Sequence, residues 1–75
     1  MKTTNNIRIE RARHRLTQSD LAKEVGCSRQ TIYSIENGKF NPSITVVFRI
    51  LKFLNTLKSD ENQIKVEDLF QLVKN

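Results

Sequence analysis

The sequence predicts an all-α domain, a compact five-helix bundle with a short C-terminal edge strand as its one extended element. Three observations predict it. Good N-cap residues recur just ahead of apolar segments, the apolar residues within those segments recur at helical spacings, and two glycines and one proline punctuate the joins. The 75 residues form one domain, 1–75, with a folded core running from about 6 to 70. A domain of this size buries only about 60% of the surface its unfolded chain exposes, so association with a second copy would add stability.

The first helix spans about 6–14, although Ile7, Ile9 and Ala12 do not share one clean stripe. Thr17 followed by Asp20 is a capping box with Asp in the place of Glu. It opens a helix over about 18–25, where Leu21, Ala22 and Val25 form a narrow apolar stripe. Gly26 suits a tight turn, and Ser28 caps a third helix over about 29–37 that carries Ile32 and Ile35. Asn37-Gly38 and Asn41-Pro42 end that segment, and Ser43 caps a fourth helix over about 43–55. Its residues Ile44, Val46, Val47, Phe48, Ile50, Leu51, Phe53 and Leu54 are apolar almost all round, as in a core helix or one that also lies against a partner. A loop reaches about 63 through the polar run Lys58-Ser59-Asp60-Glu61-Asn62-Gln63, and a short fifth helix follows at about 66–70. Phe70-Gln71-Leu72-Val73 is too short for periodicity to decide and is compatible with the edge strand.

Charge is distributed unevenly. Residues 1–50 hold nine Lys and Arg against four acids, whereas residues 51–75 hold four of each sign. The whole formal charge of +5 therefore lies in the first two-thirds of the chain, which suggests a face for nucleic acid or an anionic membrane. The single cysteine, Cys27, excludes an internal disulfide framework and fits a reducing compartment. No apolar run approaches the length of a membrane span or signal segment, so a soluble cytoplasmic domain is expected. One His and one Cys supply neither a metal quartet nor a nucleophile–base dyad with an orienting group, and no phosphate-cradling glycine loop exists. The expectation is no enzyme, no metal, no cofactor and no small-molecule ligand. His14 reads as a surface or phosphate-side residue. Cys27 reads as a small packing residue, with a redox-sensing thiol as the alternative.

The informative stretch is Gln18 to Asn37. A helix, a tight turn at Gly26-Cys27-Ser28 and a second helix make a helix-turn-helix over 18–37. Ala22 is small where the two helices must approach, Gly26 can take a positive φ, and Val25 and Ile32 close the angle from inside. Ser28 leaves Arg29, Gln30, Thr31 and Tyr33 near the N-terminal end of the second helix, where free N–H groups and the helix dipole favour phosphate.

Residues 6–55 resemble the Xre family of small transcriptional regulators, the lambda-repressor-like or Cro/CI-type helix-turn-helix domain. The matching pieces are L-T-Q at 16–18, D-L-A at 20–22, V-G-C-S-R-Q-T-I at 25–32, I-E-N-G-K at 35–39 and N-P-S at 41–43, with V-E-D-L-F at 66–70 matching the family's fifth helix. The resemblance implies a double-stranded DNA operator as partner, bound by a two-fold homodimer with no membrane involved. By position it assigns the backbone grip and the bracing of the recognition helix to Gln18. Base-edge reading falls to Arg29, Gln30, and Ser34 or Tyr33, with Arg29 pairing guanine and Gln30 pairing adenine. Thr31, Asn37, Lys39 and Asn41 would lie along the phosphates, and Ser28 completes the DNA-contacting set. Arg11 and Glu36 match an internal ion pair.

The sequence departs from the family's pattern twice. Glu10 stands where an apolar residue is usual, so the first helix packs differently or uses Glu10 in a polar network. The stretch after Asn55 is longer than usual by about eight residues, which leaves the dimer geometry open. Phe53, Leu57, Ile64, Leu72 and Val73 exceed what so small a core accommodates, and with the fifth helix and tail they are the expected dimer seam. The expected function is a repressor occupying a near-palindromic operator. The alternatives are the antitoxin of a toxin–antitoxin pair, or a protein–protein adaptor that reads no DNA.

Overall fold

The computed structural model describes residues 3–39 and 41–72. In chain order it contains strand β1 (Thr3–Asn5), helices α1 (Ile7–Arg13), α2 (Gln18–Val25), α3 (Arg29–Glu36) and α4 (Ile44–Thr56), a 3-10 turn (Asp60–Asn62), helix α5 (Val66–Leu69) and strand β2 (Phe70–Leu72). The five α-helices and the C-terminal strand stand where the sequence predicts them, within two residues at most ends.

Each helix start has its local cause. The Thr17 hydroxyl accepts the Asp20 N–H and the Asp20 carboxylate accepts the Thr17 N–H, both at 2.9 Å, so the capping box closes α2 from both sides. Ser28 accepts the Thr31 N–H at 3.0 Å, and Ser43 accepts the Val46 N–H at 3.2 Å. Gly26 ends α2 at φ +75, in the left-handed region that closes helices without a Cβ clash.

The core is one cluster. Ile7, Leu21, Ala22, Val25, Ile32, Ile35, Ile50, Leu54 and Leu69 are buried together, one contribution or more from every α-helix. Val25 of α2 and Ile32 of α3 are both closed to solvent in that cluster. On α1, Ile7 is buried and Ile9 is exposed, while Glu10 takes the inward position and is 4% exposed. That substitution explains the missing stripe of α1.

Two features exceed the sequence expectation. The tail strand finds its partner at the other end of the chain: β2 pairs antiparallel with β1, in the register Thr3↔Leu72, Thr4↔Gln71, Asn5↔Phe70. The Asn6 N–H continues the join to the Leu69 carbonyl at 2.9 Å, and Asn5 Nδ2 donates to the Ile35 carbonyl at 2.9 Å, which ties the sheet to the end of α3. The longer stretch after Asn55 is ordered by that residue. Asn55 donates to the Ile64 carbonyl at 2.9 Å and accepts the Ile64 N–H at 2.8 Å, and Gln63 Nε2 donates to the Asn55 carbonyl at 2.9 Å. Lys58, in the same stretch, sets its ammonium 2.6 Å from Glu10, which also accepts from Arg13 at 2.8 Å.

Candidate nucleic-acid interface

The interface is built on α2 and α3, packed through Ala22, Val25, Ile32 and Ile35. With these four residues turned inward, the remaining positions of α3 ahead of Glu36 face outward: Arg29, Gln30 and Tyr33 are exposed, and Thr31 and Ser34 are half-buried. Ser28 is exposed, but its hydroxyl is engaged in the cap and lies 2.9 Å from the Thr31 hydroxyl.

A polar chain fixes α3 against the rest of the domain. Arg11 on α1 grips Glu36 with two nitrogens, Nε to Oε2 at 2.7 Å and Nη2 to Oε1 at 3.1 Å. Gln18 on α2 donates to the same Glu36 at 3.1 Å, and its carbonyl oxygen accepts from Arg29 Nη1 at 3.2 Å. The Glu36 side chain is 1% exposed and that of Arg11 is 15% exposed, so the pair is buried and bidentate, the strong geometry for an ion pair. The hydrogen bond to Glu36 raises the Arg11 pKa above its ordinary range, with partial burial opposing and the charge of Glu36 assisting. From α1 the chain passes to the end of α3, to the start of α2, and to the first residue of α3.

The other end of α3 has its own arrangement. Asn37 folds its side chain back onto the Tyr33 carbonyl at 2.8 Å, and the Lys39 ammonium sits over the Tyr33 ring, 5.3 Å from its centroid. Asn37, Lys39 and Asn41 are exposed. The sequence-nominated residues thus form two groups on the motif, Gln18 with Arg29 at one end of α3 and Tyr33, Asn37 and Lys39 at the other.

The residues expected at a dimer seam differ in exposure. Phe53 and Ile64 are partly buried against the core, and Leu57 is exposed. The backbone of Leu72 is in β2, its side chain lies outside the described residues, and Val73 lies wholly outside them. Among the described residues the largest apolar exposures are Ile44 (66%) and Phe48 (56%), one turn apart on α4. The all-round apolar pattern of α4 was the signal for such a face, but without the wheel's orientation it did not say which residues. Cys27 is half-buried, and desolvation pushes its thiol pKa up. His14 is half-buried.

Among the described residues no group of His, Cys, Asp and Glu gathers to hold a metal ion, and no helix is long and apolar enough to cross a membrane.

The chain matches the family described as helix-turn-helix over residues 7–62. It is similar to a helix-turn-helix-type transcriptional regulator of Methanocaldococcus jannaschii, 47% identical over 66 residues that cover 88% of each chain. A regulator of the same type from Archaeoglobus fulgidus is 41% identical over 64 residues, 85% of this chain and 80% of the relative. The antitoxin HipB of Escherichia coli is 40% identical over 50 residues, 67% of this chain and 53% of HipB.

Proposed function

The chain belongs to the Xre-type helix-turn-helix family and is a DNA-binding transcriptional regulator; from that premise we propose that it represses transcription as a homodimer on a near-palindromic operator. Two α3 helices enter successive major grooves about 34 Å apart. Arg29 and Gln30 read base edges, with Tyr33 or Ser34 as a third contact. Gln18, Ser28, Thr31, Asn37, Lys39 and Asn41 align the backbone. One single-domain unit, 1–75, carries all of this, and occupation of the promoter blocks polymerase.

The observation that carries the reading is the polar chain Arg11–Glu36–Gln18–Arg29. It holds the first residue of α3 in place before any ligand arrives, and preorganised contacts lose less freedom on binding. The homodimer is supported by the exposed pair Ile44 and Phe48, which offers an association face in addition to the proposed seam of Phe53, Leu57, Ile64, Leu72 and Val73. Exposed apolar residues side by side on one helix mark an association face in a domain this small.

Selection of bound duplexes from a random 30-base-pair pool at two salt concentrations tests the proposal. Enrichment of an inverted repeat supports a dimeric operator reader. Binding without enrichment, weakening steeply with salt, would mean electrostatic contact alone and would remove base reading.

The similarity to antitoxin HipB over 50 residues, 67% of this chain, favours a second reading, in which the same domain binds DNA and offers its exposed α4 face to a toxin. Copurification with a toxin encoded beside its gene, at the expense of self-association, would favour that reading over the first.

A further inference from the structure

We propose that Arg15, in the turn between α1 and α2, clamps a phosphate of the DNA backbone beside the recognition helix. The proposal rests on the DNA-binding reading and adds a contact that the helix-turn-helix motif itself does not supply.

The starting observation is a strained backbone. Arg15 has φ +56 and is the one non-glycine residue with positive φ among the described residues. In that region an L side chain crowds its Cβ against the following carbonyl oxygen, and glycine is the residue that escapes the clash. The turn itself is held by other groups. The Arg15 N–H donates to the Ala12 carbonyl at 3.2 Å, the Leu16 N–H donates to the Arg11 carbonyl at 2.9 Å, and Arg11 Nη1 donates to the Leu16 carbonyl at 2.8 Å. The Arg15 side chain takes no part. It is exposed, and among the described residues its guanidinium has no hydrogen-bond or ion-pair partner. Glycine would satisfy the backbone with less strain. A strained position with an idle cationic side chain is held for what the side chain binds.

Position identifies the ligand. Arg15 precedes Gln18 by one turn of chain and stands at the mouth of α2, whose Gln18 and Ser19 N–H groups have no partner among the described residues. Arg11, which holds the turn at Leu16, also holds Glu36 and through it Gln18 and Arg29. The turn, the start of α2 and the start of α3 are therefore one connected unit. In a helix-turn-helix the first helix of the motif crosses the sugar-phosphate backbone, so a guanidinium at its entrance meets phosphate oxygens, which it matches in charge and planar geometry. Such a contact adds affinity without sequence preference.

Three variants, Arg15→Gly, Arg15→Asn and Arg15→Lys, test the assignment by thermal melting and by anisotropy titrations over a salt series. The duplexes are a 30-base-pair site enriched by selection and a scrambled copy. Arg15→Gly should raise the melting temperature by about 4 °C. It should reduce the slope of log affinity against log salt by about 0.9 and weaken both duplexes by one common factor, roughly eightfold at 0.1 M salt. Arg15→Asn should share the shallower slope, and Arg15→Lys should keep the native one. A glycine variant with native slope and affinity would overturn the clamp, as would a loss confined to the enriched duplex, which belongs to base reading. If the native protein binds neither duplex, the DNA-binding reading beneath the proposal fails instead.

Discussion

Glu36 accepts three hydrogen bonds, two from Arg11 and one from Gln18, at a site almost closed to solvent. Removing it strands the Arg11 guanidinium, so Glu36→Ala should destabilise the domain by about 3 kcal/mol, read as a melting temperature lower by more than about 10 °C. An unaltered melt would show that the pair does not hold α3. Arg29→Ala should do the opposite: the fold is kept, while discrimination between cognate and scrambled duplexes falls by about 1–3 kcal/mol. A preference equal to that of the native protein in competition titrations would exclude Arg29 from base reading. At Cys27 the raised thiol pKa has a definite sign. At neutral pH the thiolate is scarcer than in free cysteine, so reaction with a disulfide reagent should be slower than that of free cysteine and should accelerate only as pH rises beyond the usual thiol range. A rate at pH 7 above that of free cysteine would revive the redox-sensing alternative. Arg11 and Glu36 are separated by 25 positions, and no local pattern joins them. Their pairing entered the sequence reading through the family resemblance alone.

At the scale of the element, the helices were legible because their signals are local: a cap, a stripe and a stop within a dozen residues. The capping box of α2 carries a pH dependence of its own. The Asp20 pKa lies below its ordinary value, chiefly through the Thr17 N–H it accepts and then through the Thr17 hydroxyl. A depressed carboxylate stabilises the fold above its unfolded pKa, and that contribution is lost as pH falls from there through the folded value. Amide exchange in the first turn of α2 should therefore gain protection with pH only in this acidic window, and Asp20→Asn should remove the dependence. A native-like profile in the variant would assign it to another group. Strand β1 was not legible. Thr3–Asn5 has no alternation long enough to declare a strand, and its partner lies at the opposite end of the chain. The bare face of α4 at Ile44 and Phe48 was not legible either, since which flank of α4 stays bare depends on what α2 and the stretch after Asn55 cover.

At the scale of the whole molecule, the two departures from the family's pattern meet in space. Glu10 occupies an inward position on α1, and Lys58, from the additional stretch after α4, sets its ammonium against it. Each was visible in the sequence, and only the fold joins them. Lys58→Met leaves Glu10 buried with Arg13 alone and should cost about 3 kcal/mol, whereas Glu10→Leu combined with Lys58→Met should recover most of the loss. Melts of the two single variants and the double variant check this; additive losses would mean that the charges do not interact. For the proposed association face, Phe48→Lys should give a monomer by sedimentation with a native melt at high dilution, and a persistent dimer would move the seam away from α4. The pairing of β1 with β2 has a kinetic consequence. It closes a loop of about 70 residues, and contacts between such distant positions reward the chain only after their closure entropy has been met. The helices can therefore assemble before the two ends meet, and the sheet is expected to form after the rate-limiting barrier. Weakening the register at Thr4 should leave the refolding rate nearly unchanged and accelerate unfolding. Because Asn5 is bonded to the Ile35 carbonyl, the last step of folding would also be the one that secures the far end of the recognition helix.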